Sequence, residues 1–164
     1  MTTTATTTAT TTTHHVRLEP ITKDNYRECM RLTVTEQQKT HVAPNAKSLG
    51  EAYVYYDTAR PFAVYHDDNM VGFVLLRDLP NLDCYYISQF MIDQNFQRQG
   101  YGRQAMELLI EMLRSERRYP KVTLCFVDGD EAAKSLYLGL GFRLTGEVDA
   151  DEIIMELDFD PGVC

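Results

Sequence analysis

The sequence predicts one domain of mixed α/β class, with helices packed against a central sheet. Apolar runs of strand length recur along the chain, amphipathic runs of helix length separate several of them, and two neighbouring strand-like runs form a hairpin. The predicted order is strand, helix, helix, three antiparallel strands, helix, strand, helix and a last pair of strands, with about four helices flanking the sheet. The chain of 164 residues is long enough to enclose one core.

The first predicted elements are a strand and a helix. Residues 16–20 alternate between apolar and polar side chains, as a half-buried strand does. Thr22 or Asp24 is expected to cap a helix that extends to about Val34, because short polar side chains accept hydrogen bonds from the first free amides of a helix.

A second helix is predicted after a polar loop over residues 36–45. Ser48 and Glu51 have the spacing of a capping box, in which each side chain bonds to the backbone of the other residue. The helix is therefore expected to begin at Ser48 and to end near Asp57.

The middle of the chain is predicted to form three antiparallel strands. Residues 62–66 and 70–77 are strand-like, and the polar residues 67–69 between them indicate a hairpin. A turn at 79–81 leads to residues 84–92, the longest strand-like run, which we expect to be the central strand.

The second half is predicted to alternate helices and strands. A helix over 103–117 has apolar residues at helical spacing, so that face is expected to pack on the sheet. Those residues are Ala105, Leu108, Leu109 and Met112. A buried strand over 122–127, a short helix over 131–138 and an antiparallel pair ending near Phe159 complete the domain.

Composition and charge exclude several classes of protein. The formal net charge of −8 argues against a nucleic-acid binder, which would need a basic face, and no run approaches the length of a membrane span. The cysteines show neither Cys-x-x-Cys pairing nor a histidine at metal spacing; they are Cys29, Cys84, Cys125 and Cys164. Reduced thiols of this kind are typical of a cytoplasmic protein, and no metal is expected.

The two ends of the chain are predicted to lie outside the domain. Residues 1–15 are almost entirely threonine and alanine before two histidines, which indicates a disordered tail without the pattern of a signal peptide. The domain is expected to comprise residues 16–160, followed by a short C-terminal tail over 161–164.

A glycine-rich segment, Gln97 to Gly102, lies between the central strand and the long helix. Gly100 and Gly102 allow a tight turn and a close approach of the backbone to a ligand. The free N–H groups of the first helical turn and the positive end of the helix dipole would face that ligand, which is an arrangement that binds phosphate. Arg98 and Arg103 add positive charge in a chain that is otherwise acidic.

The same glycines also match part of the dinucleotide-binding fingerprint, as Gly100-x-Gly102-x-x-Ala105. That fingerprint requires a strand that leads almost directly into the first glycine, early in a doubly wound sheet. Here the polar or aromatic residues 93–99 intervene, and few residues remain for the rest of such a fold. We therefore favour another kind of phosphate-binding loop.

The spacing Gln97-x-x-Gly100-x-Gly102 after a strand resembles the acetyl-CoA motif of the GNAT N-acetyltransferases. A second family element, Ala133-x-x-x-Tyr137-x-x-x-Gly141-Phe142, follows at the expected distance. The resemblance covers residues 16–157 and implies the GNAT fold, a mixed and mostly antiparallel sheet that splays open at its fourth strand. It also implies an acyltransferase that uses acetyl-CoA as co-substrate and needs no metal.

The resemblance implies roles for particular residues. Tyr137 matches the tyrosine that protonates the thiolate of coenzyme A, and it is the expected catalytic residue. Phe90, Met91 and Ile92 resemble the strand segment that pairs with the pantetheine arm through its backbone. The pyrophosphate is expected to bind to the segment that contains Gln97, Arg98, Gln99, Gly100, Tyr101, Gly102 and Arg103.

Two positions depart from the family pattern. Asp130 stands where many relatives have an asparagine that contacts the coenzyme. An aspartate can accept but not donate hydrogen bonds, so Asp130 is expected either to contact the coenzyme or only to cap the next helix. Ser88 stands where related polyamine enzymes often have a glutamate, which leaves the general base open. The candidates for holding a water in its place are Tyr85, Tyr86, Ser88 and a carboxylate such as Glu36.

The first half of the chain resembles the bacterial diamine and spermine/spermidine N-acetyltransferases. The similar segments are Val34-x-x-x-Gln38, residues 42–45 and residues 48–53, with His41 where that branch usually has an aromatic residue. This implies transfer of an acetyl group to a primary amine, a polyamine or diamine such as spermidine or spermine, by direct attack. The acidic end of the chain would attract such a cation if it lay near the substrate mouth, although acidic hairpins are usually only solvated surface.

Other functions remain as alternatives at the level of sequence. The acetyl acceptor could be an aminoglycoside-like amine or a peptide N-terminus, and a catalytically degenerate module that only binds coenzyme A is a third hypothesis. The expected partners are a small-molecule amine and, in a homodimer, a second copy of the chain, but neither nucleic acid nor a membrane.

Overall fold

The computed structural model describes residues 16–159, so the predicted tails over 1–15 and 161–164 lie outside it, as does residue 160. The strands are β1 (Val16–Pro20), β2 (Ala59–His66), β3 (Asn69–Leu79), β4 (Cys84–Ile92), β5 (Lys121–Val127), β6 (Arg143–Asp149) and β7 (Glu152–Asp158). The α-helices are α1 (Tyr26–Arg31), α2 (Asn45–Val54), α3 (Tyr101–Glu116) and α4 (Glu131–Gly139). The described strands form one sheet in the order β1-β2-β3-β4-β5-β7-β6.

Neighbouring strands run antiparallel except for β4 and β5, which are parallel. The predicted mixed, mostly antiparallel sheet with helices on its faces is therefore confirmed. No helix of the described chain is long and apolar enough to cross a membrane.

The strand β3 lies in the middle of the sheet and is buried on both faces. Phe73 and Leu75 belong to the core on the side of α1 and α2, whereas Val74 and Leu76 belong to the larger core under α3 and α4. This division follows from the alternation of side chains along a strand. The helices therefore cover both faces of the sheet.

The helix α1 is shorter than predicted and has another start. It follows Asn25 rather than Thr22 or Asp24, has no side-chain cap, and ends at Arg31 instead of near residue 34. Leu32 has an extended ψ of 137°, and the N–H of Thr33 then donates to the Asp93 carboxylate at 2.8 Å. This contact joins the end of α1 to the segment after β4.

The prediction of a capping box at Ser48 and Glu51 was wrong. The helix α2 begins at Asn45, directly after Pro44, and it ends at Val54 rather than near residue 57. Ser48 is consequently buried within the helix, and its hydroxyl donates to Gln89 on β4. The fixed φ of proline sets the start of the helix without a side-chain cap.

The helix α3 packs on the sheet through a stripe that includes Ala105 and Leu109, as predicted, but is otherwise shifted by one position. The buried residues are Ala105, Met106, Leu109, Ile110 and Leu113. Leu108, which was expected on the buried face, is 42% exposed. Both stripes have the helical period, so periodicity alone did not decide between them.

The sheet opens between β4 and β5, as predicted. The two strands pair only from Tyr85 with Val122 to Ile87 with Leu124, although both continue beyond that point. The register between β3 and β4 skips Ser88, which is the extra residue of a β-bulge. The bulge lies where pairing with β5 ends, so β4 bends away and a gap opens in the sheet.

Candidate active site

The N-terminus of α3 presents free backbone donors. Gly100 precedes the helix, and no side chain caps it. The first amide that bonds back is that of Gln104, which donates to the Gly100 carbonyl at 3.1 Å. The N–H groups of Tyr101, Gly102 and Arg103 therefore have no carbonyl partner within the helix. Together with the dipole of a 16-residue helix they can bind an anion.

The loop before α3 has an unusual backbone. Arg98 and Gly100 adopt left-handed conformations, with φ of 60° and 83°. Such residues turn nearby N–H groups toward one side, as in anion-binding nests. Gly102 has an ordinary helical φ, and an added Cβ would meet Ile92 at 3.5 Å, an ordinary contact. Packing within the chain therefore does not require a glycine at position 102. A ligand that lay against this position would require one, because a side chain would occupy its space.

Two polar side chains at this loop, those of Gln97 and Arg103, contact other parts of the protein. The Gln97 amide nitrogen donates to the Ile92 carbonyl at 2.9 Å and to the Gln38 side chain at 2.8 Å. The guanidinium of Arg103 donates to the Gly139 carbonyl at 3.3 Å and so links α3 to the end of α4. These contacts position the loop, while its backbone N–H groups and the Arg98 side chain lie beside the loop cavity.

A cavity of about 300 Å³, here called the loop cavity, lies beside this loop. It brings together the end of β4, the loop and the start of α4. Its lining includes Phe90, Met91, Ile92, Gln97, Arg98, Tyr101, Gly102, Asp130 and Tyr137. Of the residues predicted to bind the coenzyme, Gln99, Gly100 and Arg103 do not line this cavity.

A second cavity of about 270 Å³, here called the central cavity, occupies the opening between β4 and β5 and is covered by α2. Its lining includes Ser48, Glu51, Tyr86, Ser88, Gln89, Cys125 and Glu152. Five residues line both the central and the loop cavity: Val42, Phe90, Asp130, Ala133 and Tyr137. The two cavities therefore meet at the open part of the sheet.

Tyr137 lies at the junction of these two cavities and is 7% exposed. Burial raises the pKa of its hydroxyl well above the ordinary range, and the negative charge of Asp130 raises it further. The hydroxyl therefore stays protonated at neutral pH. It can donate a hydrogen bond to a group that becomes negatively charged during a reaction.

Asp130 caps α4, which is one of the two alternatives predicted from the sequence. One carboxylate oxygen accepts from the Ala133 N–H at 3.0 Å, so the side chain caps α4. The other oxygen lies 3.8 Å from Nδ1 of His41. Because Asp130 also lines both cavities, its predicted contact with a coenzyme stays a prediction beside the observed cap.

Two of the candidates for holding a water do not reach the cavity. The Tyr85 hydroxyl donates to the Leu113 carbonyl at 3.3 Å and accepts from the Arg118 N–H at 3.1 Å, on the α3 side of the sheet. The side chain of Glu36 is 86% exposed and pairs with Lys39. Both expectations were wrong. Tyr85 points to the other face of the sheet because side chains alternate along a strand, and Glu36 lies on an outer loop.

Glu51, which was predicted to cap a helix and was not among the named candidates for holding a water, lines the central cavity. The Ser88 hydroxyl donates to Oε1 of Glu51 at 3.0 Å, and Arg77 contacts the same oxygen at 3.3 Å. Ser48 and Glu51 are three residues apart, which places both on the face of α2 that meets β4. The sequence could have indicated this position, because Ser48 and Glu51 are polar residues on a helix face that packs on the sheet.

A third cavity of about 420 Å³, here called the acidic cavity, adjoins the central one. Its carboxylates come from the last two strands: Glu147, Asp149, Glu152 and Glu156. Glu156 pairs with Lys121 and Arg143, whereas Glu152 accepts from the Cys125 thiol at 3.1 Å. Four residues line both this cavity and the central one: Tyr86, Leu124, Cys125 and Glu152.

The acidic end of the chain thus contributes only in part to the cavities. Asp151 and Asp158 do not line the acidic cavity, and Asp158 pairs with Arg143 at 2.9 Å. Asp160, also part of the predicted acidic segment, lies outside the described residues. The remaining carboxylates lie on the side of the central cavity opposite the loop cavity.

Comparison with known sequences places this chain in an enzyme family. A sequence model of the acetyltransferase (GNAT) family matches residues 23–142. The spermine/spermidine N(1)-acetyltransferase of Bacillus subtilis (strain 168) is 25% identical over 142 residues, which cover 82% of this chain and 91% of that protein.

Solved structures share the fold at lower sequence identity. Spermidine N-acetyltransferase from Vibrio cholerae, in complex with CoA and spermine, has a TM-score of 0.72 and 17% identity, with 88% of this chain and 95% of that chain covered. The ribosomal-protein-S18-alanine N-acetyltransferase from Escherichia coli has a TM-score of 0.68 and 22% identity over 88% of this chain and 94% of that one. The fold is therefore shared by enzymes that differ in their acceptors.

Proposed function

The chain belongs to the GNAT acetyltransferase family, and on that premise we propose that it transfers the acetyl group of acetyl-CoA to a primary amine of a polyamine such as spermidine or spermine. The observation that carries this proposal is the row of three adjoining cavities. The free N–H groups at the start of α3 lie at one end, Tyr137 lies at the first junction, and carboxylates lie at the other end.

The coenzyme would occupy the loop cavity. Its pyrophosphate fits the free N–H groups at residues 101–103, because these donors and the helix dipole both favour negative charge. Its pantetheine arm would lie along Phe90, Met91 and Ile92, where β4 has lost its partner β5 and its backbone groups can pair with the amides of the arm. The thioester would then reach the junction of the cavities.

Tyr137 is the proposed donor to the sulfur of the leaving group. A thiol with a pKa of about 8.5 is a stronger acid than a tyrosine whose pKa is raised, so complete transfer of the tyrosine proton would be unfavourable. The hydroxyl instead donates a hydrogen bond that stabilises the thiolate as the C–S bond breaks. The proton that finally resides on sulfur can come from the attacking nitrogen.

The amine would enter through the acidic cavity. Glu147, Asp149 and Glu152 offer negative charge without a lysine or arginine partner among the residues described, and they lead into the central cavity. A long polycation can extend along such a path while its reactive end meets the thioester. The relatives named as spermine/spermidine and spermidine acetyltransferases support the same acceptor class.

A panel of amines tests this proposal directly. The purified protein would be incubated with acetyl-CoA and spermine, spermidine, a monoamine, an aminoglycoside and a peptide with a free N-terminus, while release of free thiol is followed. We expect the largest kcat/KM for spermine or spermidine. Preference for the aminoglycoside or the peptide would overturn the acceptor assignment. Coenzyme binding without thiol release from any amine would indicate a module that only binds CoA.

A further inference from the structure

We propose that Glu51 is the general base of the reaction and takes the proton from the attacking ammonium. The proposal rests on the function proposed above and adds a residue to it. Glu51 reaches the central cavity from α2, and its carboxylate meets the hydroxyl of Ser88, the bulged residue of β4. It therefore lines the cavity that meets the proposed position of the thioester, and Phe90, two residues after Ser88, lines that same cavity.

The contacts of Glu51 leave one oxygen for the substrate. Ser88 at 3.0 Å and Arg77 at 3.3 Å both contact Oε1. Oε2 has no hydrogen-bond partner in the described part of the chain, and the Glu51 side chain is 32% exposed. Arg77 is itself held by the Tyr55 ring, with its guanidinium carbon 3.7 Å from the ring centre. One oxygen is therefore fixed while the other is available to an ammonium N–H.

Glu152 is the other glutamate of the central cavity, but its position suits another role. It lines the acidic cavity as well and accepts from the Cys125 thiol, so it lies at the end of the central cavity away from the loop cavity. Glu51 lines neither of the outer cavities. A polyamine with its distal ammonium near Glu152 would bring its reactive ammonium towards Glu51.

The proposed step balances in protons and electron pairs. The ammonium donates one proton to Oε2 of Glu51 and becomes a neutral amine, whose lone pair forms the C–N bond to the thioester carbon. The C–S bond breaks and its electron pair leaves with sulfur, while the second proton of the nitrogen passes to the sulfur. A carboxylate is a weaker base than an amine, so protonated Glu51 is short-lived and releases its proton to cavity water.

The pH dependence of Glu51→Gln distinguishes a base from a structural residue. Glutamine keeps the volume and an oxygen that can accept from Ser88. At neutral pH we expect kcat/KM to fall by ~10²–10⁴-fold. Without the base only the free amine reacts, so the remaining activity should rise about tenfold per pH unit below the amine pKa of about 10.4. The wild-type kcat/KM should change little between about pH 6 and 9.

Two variants serve as controls, measured with whichever amine of the panel is turned over. Ser88→Ala keeps the carboxylate and should give a smaller loss without the steep pH slope. Glu152→Gln should raise KM for a polyamine and likewise keep the wild-type slope. Calorimetry should give the same acetyl-CoA affinity for all three variants, because none of these residues lines the loop cavity.

The outcomes separate this proposal from the proposed function. A pH-independent loss in Glu51→Gln, or the steep slope in Glu152→Gln instead, would overturn the role of Glu51 and leave the acetyltransferase intact. If Glu51→Gln failed to fold, the pH profile of the wild type would still test the role of Glu51. A rise of tenfold per pH unit in the wild-type kcat/KM would overturn that role. Absence of thiol release by the wild type with every amine would overturn the proposed function, and the role of Glu51 with it.

Discussion

The loop cavity and the central cavity are built in different ways. The loop cavity adjoins one continuous segment, residues 98–103, whose backbone N–H groups before and within the first turn of α3 are the proposed anion site. The central cavity takes its polar groups from side chains on α2, β4, β5 and β7. Backbone sites bind a constant group such as a pyrophosphate, whereas side chains can change with the acceptor while the fold is kept.

The largest expected effect tests the backbone site. In Gly102→Glu the new carboxylate would occupy the position proposed for the pyrophosphate, while φ at this residue needs no glycine. A carboxylate in the first turn also interacts favourably with the helix dipole. The variant should therefore fold with unchanged or higher stability. We expect acetyl-CoA binding to fall below detection in calorimetry.

Gly50→Ala is the matched control for that variant. Gly50 lies in α2 with nothing within 4 Å of an added Cβ. Alanine there should stabilise the protein by about 0.4–1 kcal/mol and leave coenzyme affinity unchanged. Normal acetyl-CoA affinity in folded Gly102→Glu would mean that the coenzyme binds elsewhere, and the comparison of the two cavities would lose its basis.

The difference between the cavities also explains what could be predicted from the sequence. A loop that needs a left-handed Gly100 and space at Gly102 must show these residues at a fixed local spacing. The strand β4 was likewise predicted with its observed bounds, because a long apolar run is a local signal.

The central cavity could not be predicted in the same way. The contact between Glu51 and Ser88 joins residues 37 apart in sequence, and that between Ser48 and Gln89 joins residues 41 apart. A short sequence pattern does not indicate contacts between residues so far apart along the chain. The capping-box spacing even suggested a different role for Ser48 and Glu51, since the same i, i+3 relation also places two side chains on one helix face.

The second effect concerns the junction of the cavities. Tyr137→Phe removes the hydroxyl but keeps the ring that packs with Phe126 and Phe142. We expect kcat to fall by ~10²–10⁴-fold with acetyl-CoA affinity nearly unchanged. Since burial raises the Tyr137 pKa, the wild-type kcat should show no decline from ionisation of this tyrosine up to about pH 10. A loss below tenfold would mean that the thiolate leaves without this donor.

A smaller effect should appear where the two sides are linked. Gln97 of the loop donates to Gln38, which precedes His41 and Val42 at the central cavity. Gln97→Ala removes this hydrogen bond and the one to Ile92, so acetyl-CoA affinity should fall by up to about tenfold per bond lost.

Gln38→Ala and Gln94→Ala sharpen this test. Gln38 also lines the loop cavity and accepts from Thr35, so Gln38→Ala can have an effect of its own. If the contact with Gln97 couples the two residues, the double variant should lose less than the sum of the two single losses. Gln94 lies on the same loop with an exposed side chain, and its replacement should have no effect. Independent, additive losses at Gln97 and Gln38 would show that the two sides of the site are not coupled through this contact.

The smallest expected effect concerns the approach of the amine, and two aspartates of the last hairpin allow a matched comparison. Asp149 lines the acidic cavity, whereas Asp151, two residues later, does not. Asp149→Asn should raise KM for spermine a few-fold and reduce the salt dependence of kcat/KM, because surface fields act over a Debye length of about 8 Å at physiological ionic strength. Asp151→Asn removes the same charge from the same hairpin and should change both quantities less.

A monoamine should show a shallower salt slope than spermine with the wild type. Equal effects of the two variants, or equal slopes for the two amines, would mean that only the overall charge of −8 attracts the substrate. The acidic cavity would then not be part of the path of the amine.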